Sequence, residues 1–148
     1  VKLVDVNLLL HAANSDSPHH RAARGWLEGA LSDEEPVGLA WVVVLGFLRV
    51  STNPLVFERP LTPDQAMEVV AGWLSLPNVR RIAPGDEHWR ILHSLLKECG
   101  TAANLTTDAH LAALAIEHWC ELHSTDSDFG RFRHLRWRNP LAADWSGK

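Results

Sequence analysis

Apolar residues are arranged along the chain in two rhythms: short continuous runs, and longer stretches with an apolar side chain at every third or fourth position. Residues 2–6 (Lys2-Leu3-Val4-Asp5-Val6) form the first run and predict a short buried strand that ends on a carboxylate. A helix is expected from about Asn7 through Leu8, Leu9, Leu10 and Ala12-Ala13. Ser17 reads as an N-cap with Pro18 at the first helical position, and Ala23, Trp26, Leu27 and Ala30 then share one face. Val37-Gly38-Leu39-Ala40 is a second strand candidate. Trp41 to Val50 reads as helix, although periodicity alone also admits a strand.

Thr62-Pro63-Asp64-Gln65 is a capping box with proline at the first helical position. Ala66, Val69, Val70, Trp73 and Leu74 continue that helix until Pro77, and Val79 to Ile82 follows as a strand. After Pro84-Gly85, a stripe of His88, Ile91, Leu92, Leu95, Leu96 and Cys99 predicts a helix stopped by Gly100. Leu105 to Trp119 is apolar nearly all round, as a centrally buried helix would be. Glu121 to Thr125 is the last main strand, followed by Asp126, and an edge strand is expected around Leu135 to Trp137. Strands alternating with helices call for one α/β domain over residues 1–148, a parallel sheet with helices on both faces. Such sheets place their sites at the carboxyl ends of the strands.

Composition narrows the picture. The chain has 148 residues and a net charge of −4, which by itself speaks against binding nucleic acid through overall positive charge. The charge is uneven, however. Residues 1–128 hold 9 basic and 17 acidic groups, whereas residues 129–148 hold Arg131, Arg133, Arg136, Arg138 and Lys148 against Asp144. No apolar stretch is long enough for a bilayer and no signal peptide opens the chain, so no membrane role is expected. Cys99 and Cys120 make neither a metal knuckle nor a disulfide framework, and a cytoplasmic setting is expected.

Candidate chemistry lies with the aspartates. Asp5 and Asp126 follow strands, Asp108 opens the most buried helix, and Asp128 stands two residues beyond Asp126. Each has a structural reading, as a helix-dipole or turn residue. Together they would converge at one edge of the sheet, where like charges raise one another's proton affinity unless a divalent cation offsets them. Magnesium, an oxygen-seeking ion that retains water, needs few carboxylates and would support phosphodiester hydrolysis. No serine–histidine or cysteine–histidine dyad, phosphate-binding loop or dinucleotide fingerprint competes with this reading.

Leu3-Val4-Asp5-Val6-Asn7, Phe47-Leu48-Arg49-Val50 with Thr52-Asn53-Pro54, Asn104 to Ala112 and Ser124 to Phe129 resemble the PIN-domain ribonucleases, specifically VapC-type toxins. The resemblance implies an α/β/α sandwich with a parallel sheet of four or five strands and Mg²⁺-dependent (or Mn²⁺-dependent) endonucleolytic cleavage of RNA. It implies metal-site roles for Asp5, Asp108 and Asp126, with Asp128 as an additional acid and Asn7 and Thr125 orienting carboxylates or water. It further implies a homodimer and a VapB-like antitoxin, for which the helices around Trp26 and the loop from Leu55 to Pro60 are candidate surfaces. One position departs from the pattern: Gly46 stands where the family usually has glutamate. Asp128 and water could complete the shell, metal binding could be weaker, or the chain could be a non-cleaving member. Gly46 could equally be a packing residue.

Other residues refine these expectations. Arg49, Arg131 and Arg133 are candidate RNA contacts, with a salt bridge to the carboxylates as the alternative for Arg49. Trp26, Trp73 and Trp89 read as core or dimer interface, Trp137 and Trp145 as contacts for RNA or a partner. His110 falls on the opposite helix side from Asp108, and the nine histidines show no closed zinc spacing. The competing functional readings are a catalytically weak PIN domain that binds RNA or antitoxin, and a small phosphatase using Asp5. The second is disfavoured by Asn7, where a second aspartate would be needed.

Overall fold

Leu3 and Val4 are completely buried, and they set the first strand, β1 (Lys2–Val4), in the middle of the sheet. The computed structural model describes residues 1–142, so Trp145, Asp144 and Lys148 lie outside the described residues. The chain continues through α1 (Val6–Ala13), α2 (His20–Ser32), β2 (Val37–Ala40), α3 (Trp41–Ser51) and α4 (Pro63–Leu74). It then forms β3 (Val79–Ile82), α5 (His88–Cys99), α6 (Thr106–Glu117), β4 (Glu121–His123) and β5 (Trp137–Arg138). The sheet has five strands in the order β3-β2-β1-β4-β5, and every pairing is parallel.

That order dictates the layers. The steps from β1 to β2 to β3 run toward one edge and carry α1 to α4; the return to β4 crosses the sheet and carries α5 and α6. Right-handed crossovers therefore put the first four helices on one face and the last two on the other. The packing agrees, with α1 against α2 and α3, α3 against α4, and α5 against α6. The result is the expected α/β/α sandwich. Among the described residues no helix is long and apolar enough to cross a membrane, and both cysteines are free thiols.

Local chemistry explains the elements. Both bonds of the Thr62–Gln65 capping box are present, at 3.1 and 2.9 Å. Gly100 ends α5 with φ 71°, a left-handed turn that glycine adopts without strain. Ala109, Leu111, Ala112, Ala113, Leu114 and Ala115 bury α6 on nearly all sides. Trp26 stacks on His123 at 5.3 Å and Trp73 meets Phe47 edge-on at 4.9 Å. Trp89 is 76% exposed and is no part of the core.

Several boundaries differ from expectation. β1 stops at Val4 because Asp5 already caps α1, and Val6 is helical. β4 stops at His123, where Ser124 turns its hydroxyl to the neighbouring strand end. Ser17 is not the cap of α2, which starts at His20. The Ser17 hydroxyl accepts from the His19 amide at 3.1 Å and bonds His11 Nδ1 at 2.8 Å, closing the turn between α1 and α2. Leu105 belongs to a short 3-10 turn, Ala103–Leu105, and α6 ends two residues before Trp119.

His123 is 1% exposed, and burial depresses its proton affinity to a pKa of about 4 despite Glu121 beside it. The unfolded chain takes up this proton near pH 6.5, so stability tied to the neutral ring is complete above that pH and is lost as pH falls toward 4. We expect urea midpoints of the wild type to fall more steeply between pH 7 and pH 4.5 than those of His123→Phe, which keeps a ring against Trp26 and removes the titration.

Candidate active site

β1 and β4 are neighbours, yet the chain leaves them toward opposite edges of the sheet, and the crevice at their carboxyl ends is the topological switch point. Two segments meet there. Asp5 follows β1 directly, and its amide extends the ladder by donating to the His123 carbonyl at 3.0 Å. Ser124, Thr125 and Asp126 follow β4.

Ser124 joins the two segments. Its hydroxyl is fully buried, donates to Asp5 Oδ2 at 2.7 Å, and accepts from Asn7 Nδ2 at 3.1 Å and the Asp126 amide at 3.0 Å. One donor and two lone pairs are thereby used in full. Asp5 Oδ1 accepts the Val6 amide at 2.7 Å, and Asn7 Oδ1 accepts the Thr125 amide at 3.3 Å. Asp126 Oδ1 accepts the Asp128 amide at 2.9 Å and so starts the 3-10 turn Ser127–Arg131. Trp137 on β5 donates its indole N–H to the Ser124 carbonyl at 3.0 Å, which braces the loop from the other side.

Asp108 comes from the first turn of α6, in the opposite helical layer. Burial raises its proton affinity most, and the charges of Asp126, Asp5 and Asp128 raise it further, while Arg131 lowers it. Burial likewise raises Asp5, against the lowering effect of its bonds to Ser124 and Val6; the Asp126 charge raises it again. These shifts are the electrostatic signature of carboxylates sharing one site. Arg131 is the nearby cation, its Nε donating to the Asp128 carbonyl at 3.2 Å and its Nη2 lying 3.8 Å from Asp128 Oδ1.

Among the described residues, no three histidine, cysteine, aspartate or glutamate side chains are grouped so that they alone could hold a metal ion. The donors available at the crevice are carboxylate oxygens, with Asp5 buried and Asp128 open to solvent. That set suits a hard divalent cation bound by one or two carboxylates and completed by water.

The predicted residues fall as follows. Asp126, Asp5 and Asp128 raise the proton affinity of Asp108, Asp126 raises that of Asp5, and Asn7 enters the network through its side chain. Thr125 enters it through its backbone amide. Arg49 is exposed in the last turn of α3 and makes no ion pair with a carboxylate among the described residues, so the salt-bridge alternative is not realised. Arg133 is exposed and lines a shallow hollow with Arg131, Glu98 and Cys99. His110 bonds His88 at 3.0 Å, away from Asp108. Trp137 is half-buried and donates its indole N–H to the Ser124 carbonyl. Sequence reasoning missed Ser124 as the hub. Its signal was the spacing to Asp126, at which a serine hydroxyl accepts the amide two residues on.

Gly46 is buried in α3, and a Cβ there would lie 3.3 Å from Val6 Cγ2, at the start of α1 and next to Asp5. The absence of a side chain lets α3 approach α1 closely. This close approach fits the packing alternative for Gly46.

Comparison with known proteins agrees with this architecture. The family model of the PIN domain matches residues 2–135. Ribonuclease VapC37 of Mycobacterium tuberculosis is 48% identical over 142 residues, covering 96% of this chain and 99% of the relative. The chain belongs to the PIN domain family and, within it, to the VapC ribonucleases. Solved structures share the fold at lower identity. VapBC2 from Rickettsia felis, bound to a DNA fragment from its promoter, superimposes with a TM-score of 0.67 at 16% identity, over 93% of this chain and 97% of that one. A toxin–antitoxin complex from Klebsiella pneumoniae gives 0.64 at 18%, over 95% and 98%.

Two outcomes follow from this geometry. Ser124→Ala strips Asp5 of a buried hydrogen bond and should cost about 1–3 kcal/mol, read by urea unfolding. It should also raise the Asp5 proton affinity and move the acid limb of any activity profile to higher pH. Gly46→Glu overpacks the contact with Val6 and should cost about 1–3 kcal/mol, with no gain in RNA cleavage.

Proposed function

We propose that this chain is the toxin of a VapBC-type pair, an endoribonuclease that hydrolyses RNA phosphodiesters at the acidic crevice with Mg²⁺, Mn²⁺ being the alternative ion. The single observation that carries the reading is the convergence of Asp5, Asp126 and Asp128 on Asp108, whose proton affinity their charges raise, at the switch point of a PIN-family sheet. Asp5, Asp108 and Asp126 would hold the ion, directly or through its waters. Bound there, it would polarise a phosphoryl oxygen and lower the pKa of an attacking water.

The protein's own groups prepare the site. Ser124 and Asn7 fix Asp5 and the Asp126 loop in relation to each other, so little reorganisation is left for the reaction. Asp108 enters the crevice from the opposite helical layer, and the charge it shares there with Asp5 and Asp126 is what a bound cation would offset. Arg131 supplies positive charge at the mouth for the RNA backbone. Gly46 motivated the reading of a binding module without cleavage, and its packing against Val6 accounts for the residue without that assumption.

Partner readings rest on the named relatives. The VapBC complexes support a VapB-like antitoxin, and a homodimer is the expected assembly. Leu55 is 92% and Val56 57% exposed, which keeps the loop before Pro60 as a candidate surface for one of them.

The decisive experiment compares wild type with Asp108→Asn on RNA, with Mg²⁺ and with chelator. Chelation and the substitution should each reduce cleavage on the order of 10²-fold or more, and cleavage unaffected by either would refute the reading. Asp108→Asn should meanwhile raise the melting temperature at pH 7 in chelator, because it removes a disfavoured charge. That gain should shrink as pH falls through the raised carboxylate pKa, where the wild-type group is already protonated.

A further inference from the structure

Trp119 follows α6 with φ 56°, a left-handed conformation that a bulky side chain adopts only at a cost. The local geometry is a helix stop in which the Cys120 amide donates to the Ala115 carbonyl at 2.8 Å and the Trp119 amide to Ile116 at 3.4 Å. Glycine is the usual residue at this place. The tryptophan recovers little of the cost by burial, since it is 83% exposed. It stands on the rim of a cavity of about 580 Å³ between α5, α6 and the segment before β5, floored by Ile91, Leu95 and Ile116. The volume and mostly apolar lining are those of a small-ligand site.

The surroundings say what the occupant is. Arg136 donates from Nη2 to the Trp119 carbonyl at 2.7 Å and has no carboxylate partner among the described residues. His134 and Arg136 line the same cavity, as do Glu87, which is paired with Arg90, and Glu117, which accepts the Gly85 and Glu87 amides; Glu98 lines both it and the hollow formed by Arg131 and Arg133. The two depressions therefore adjoin, and Arg131 connects them to Asp128 and the carboxylate crevice. β4, which separates the two ends, is three residues long, about 10 Å at ~3.3 Å per residue. An exposed indole beside unneutralised arginines, on a track leading from a phosphodiester-cleaving site, matches the chemistry of single-stranded nucleic acid: base faces on aromatic rings and phosphates on cations.

We infer that Trp119 and Arg136 form a second RNA-binding site, in which an unpaired base stacks on Trp119 and its flanking phosphate lies on Arg136. The inference rests on the proposed RNA substrate, but it concerns binding at the amino edge of the sheet and not cleavage. Trp119→Gly is the discriminating variant, because its backbone suits the left-handed turn and it should unfold no more readily than wild type. Binding of a fluorescently labelled single-stranded RNA is measured in chelator, where nothing is cut. Trp119→Gly should weaken it about tenfold, and Trp119→Phe should restore most of it. Arg136→Gln should lower the salt slope of log K by about 0.7.

Wild-type affinity in a folded Trp119→Gly protein would overturn the site. So would a change confined to sedimentation mass, which would assign the indole to contact between copies of the chain. Asp108→Asn separates the two readings. If it abolishes cleavage while Trp119→Gly leaves affinity untouched, the nuclease stands and this site falls. If nothing is cleaved but binding depends on Trp119, the reverse holds.

Discussion

The hydroxyl of Ser124 ties together the two strand ends on which the crevice depends. Parallel strands are held by their ladder only as far as its last backbone bond, here from the Asp5 amide to the His123 carbonyl. Beyond it, two chain segments carrying like charges would separate. A buried hydroxyl that donates to one carboxylate and accepts the amide of the other's residue holds them at a fixed spacing. It spends no formal charge in doing so, which matters where the net local charge is already negative. A lysine or arginine in that place would relieve the repulsion and compete with any cation.

The crevice is consequently a place where folding and chemistry pull against each other. Asp5 and Asp108 both hold their protons more tightly than ordinary aspartates, chiefly through burial and then through their neighbours. The fold tolerates that cost because the opposing layer is well made, with α6 buried on nearly every side directly behind Asp108. The same reasoning applies to Gly46. A side chain there would bring its Cβ to 3.3 Å from Val6 Cγ2 and make the valine side chain give by a few tenths of an ångström, at the residue after Asp5.

Much of this was legible in the amino acids because it depends on short-range rules. The apolar helix α6, the capping box at Thr62 and the strand-terminal aspartates each follow from a few neighbouring residues. The PIN resemblance then grouped Asp5, Asp108, Asp126 and Asp128. What was hidden depends on contacts across the chain. Ser124 bonds Asp5 over 119 positions, and Trp137 supports it from a strand of two residues. Trp89 lies outside the core because helical spacing says which residues share a face, not which of those faces a neighbour covers.

Charge shows the same limit most clearly. A total of −4 describes no surface an RNA would meet. In three dimensions the acids gather at the carboxyl edge of β1 and β4, where a cation would offset them. Arg138 is neutralised by Glu121 at 2.9 Å and adds nothing to a binding surface, whereas Arg133 and Arg136 have no carboxylate partner among the described residues. Among the described residues the basic segment thus resolves into one arginine consumed by the fold, one leaning on Asp128 and two without a carboxylate partner. Their number is small enough for affinity to depend on a stacked base as well as on charge, and that makes the strained, exposed Trp119 intelligible.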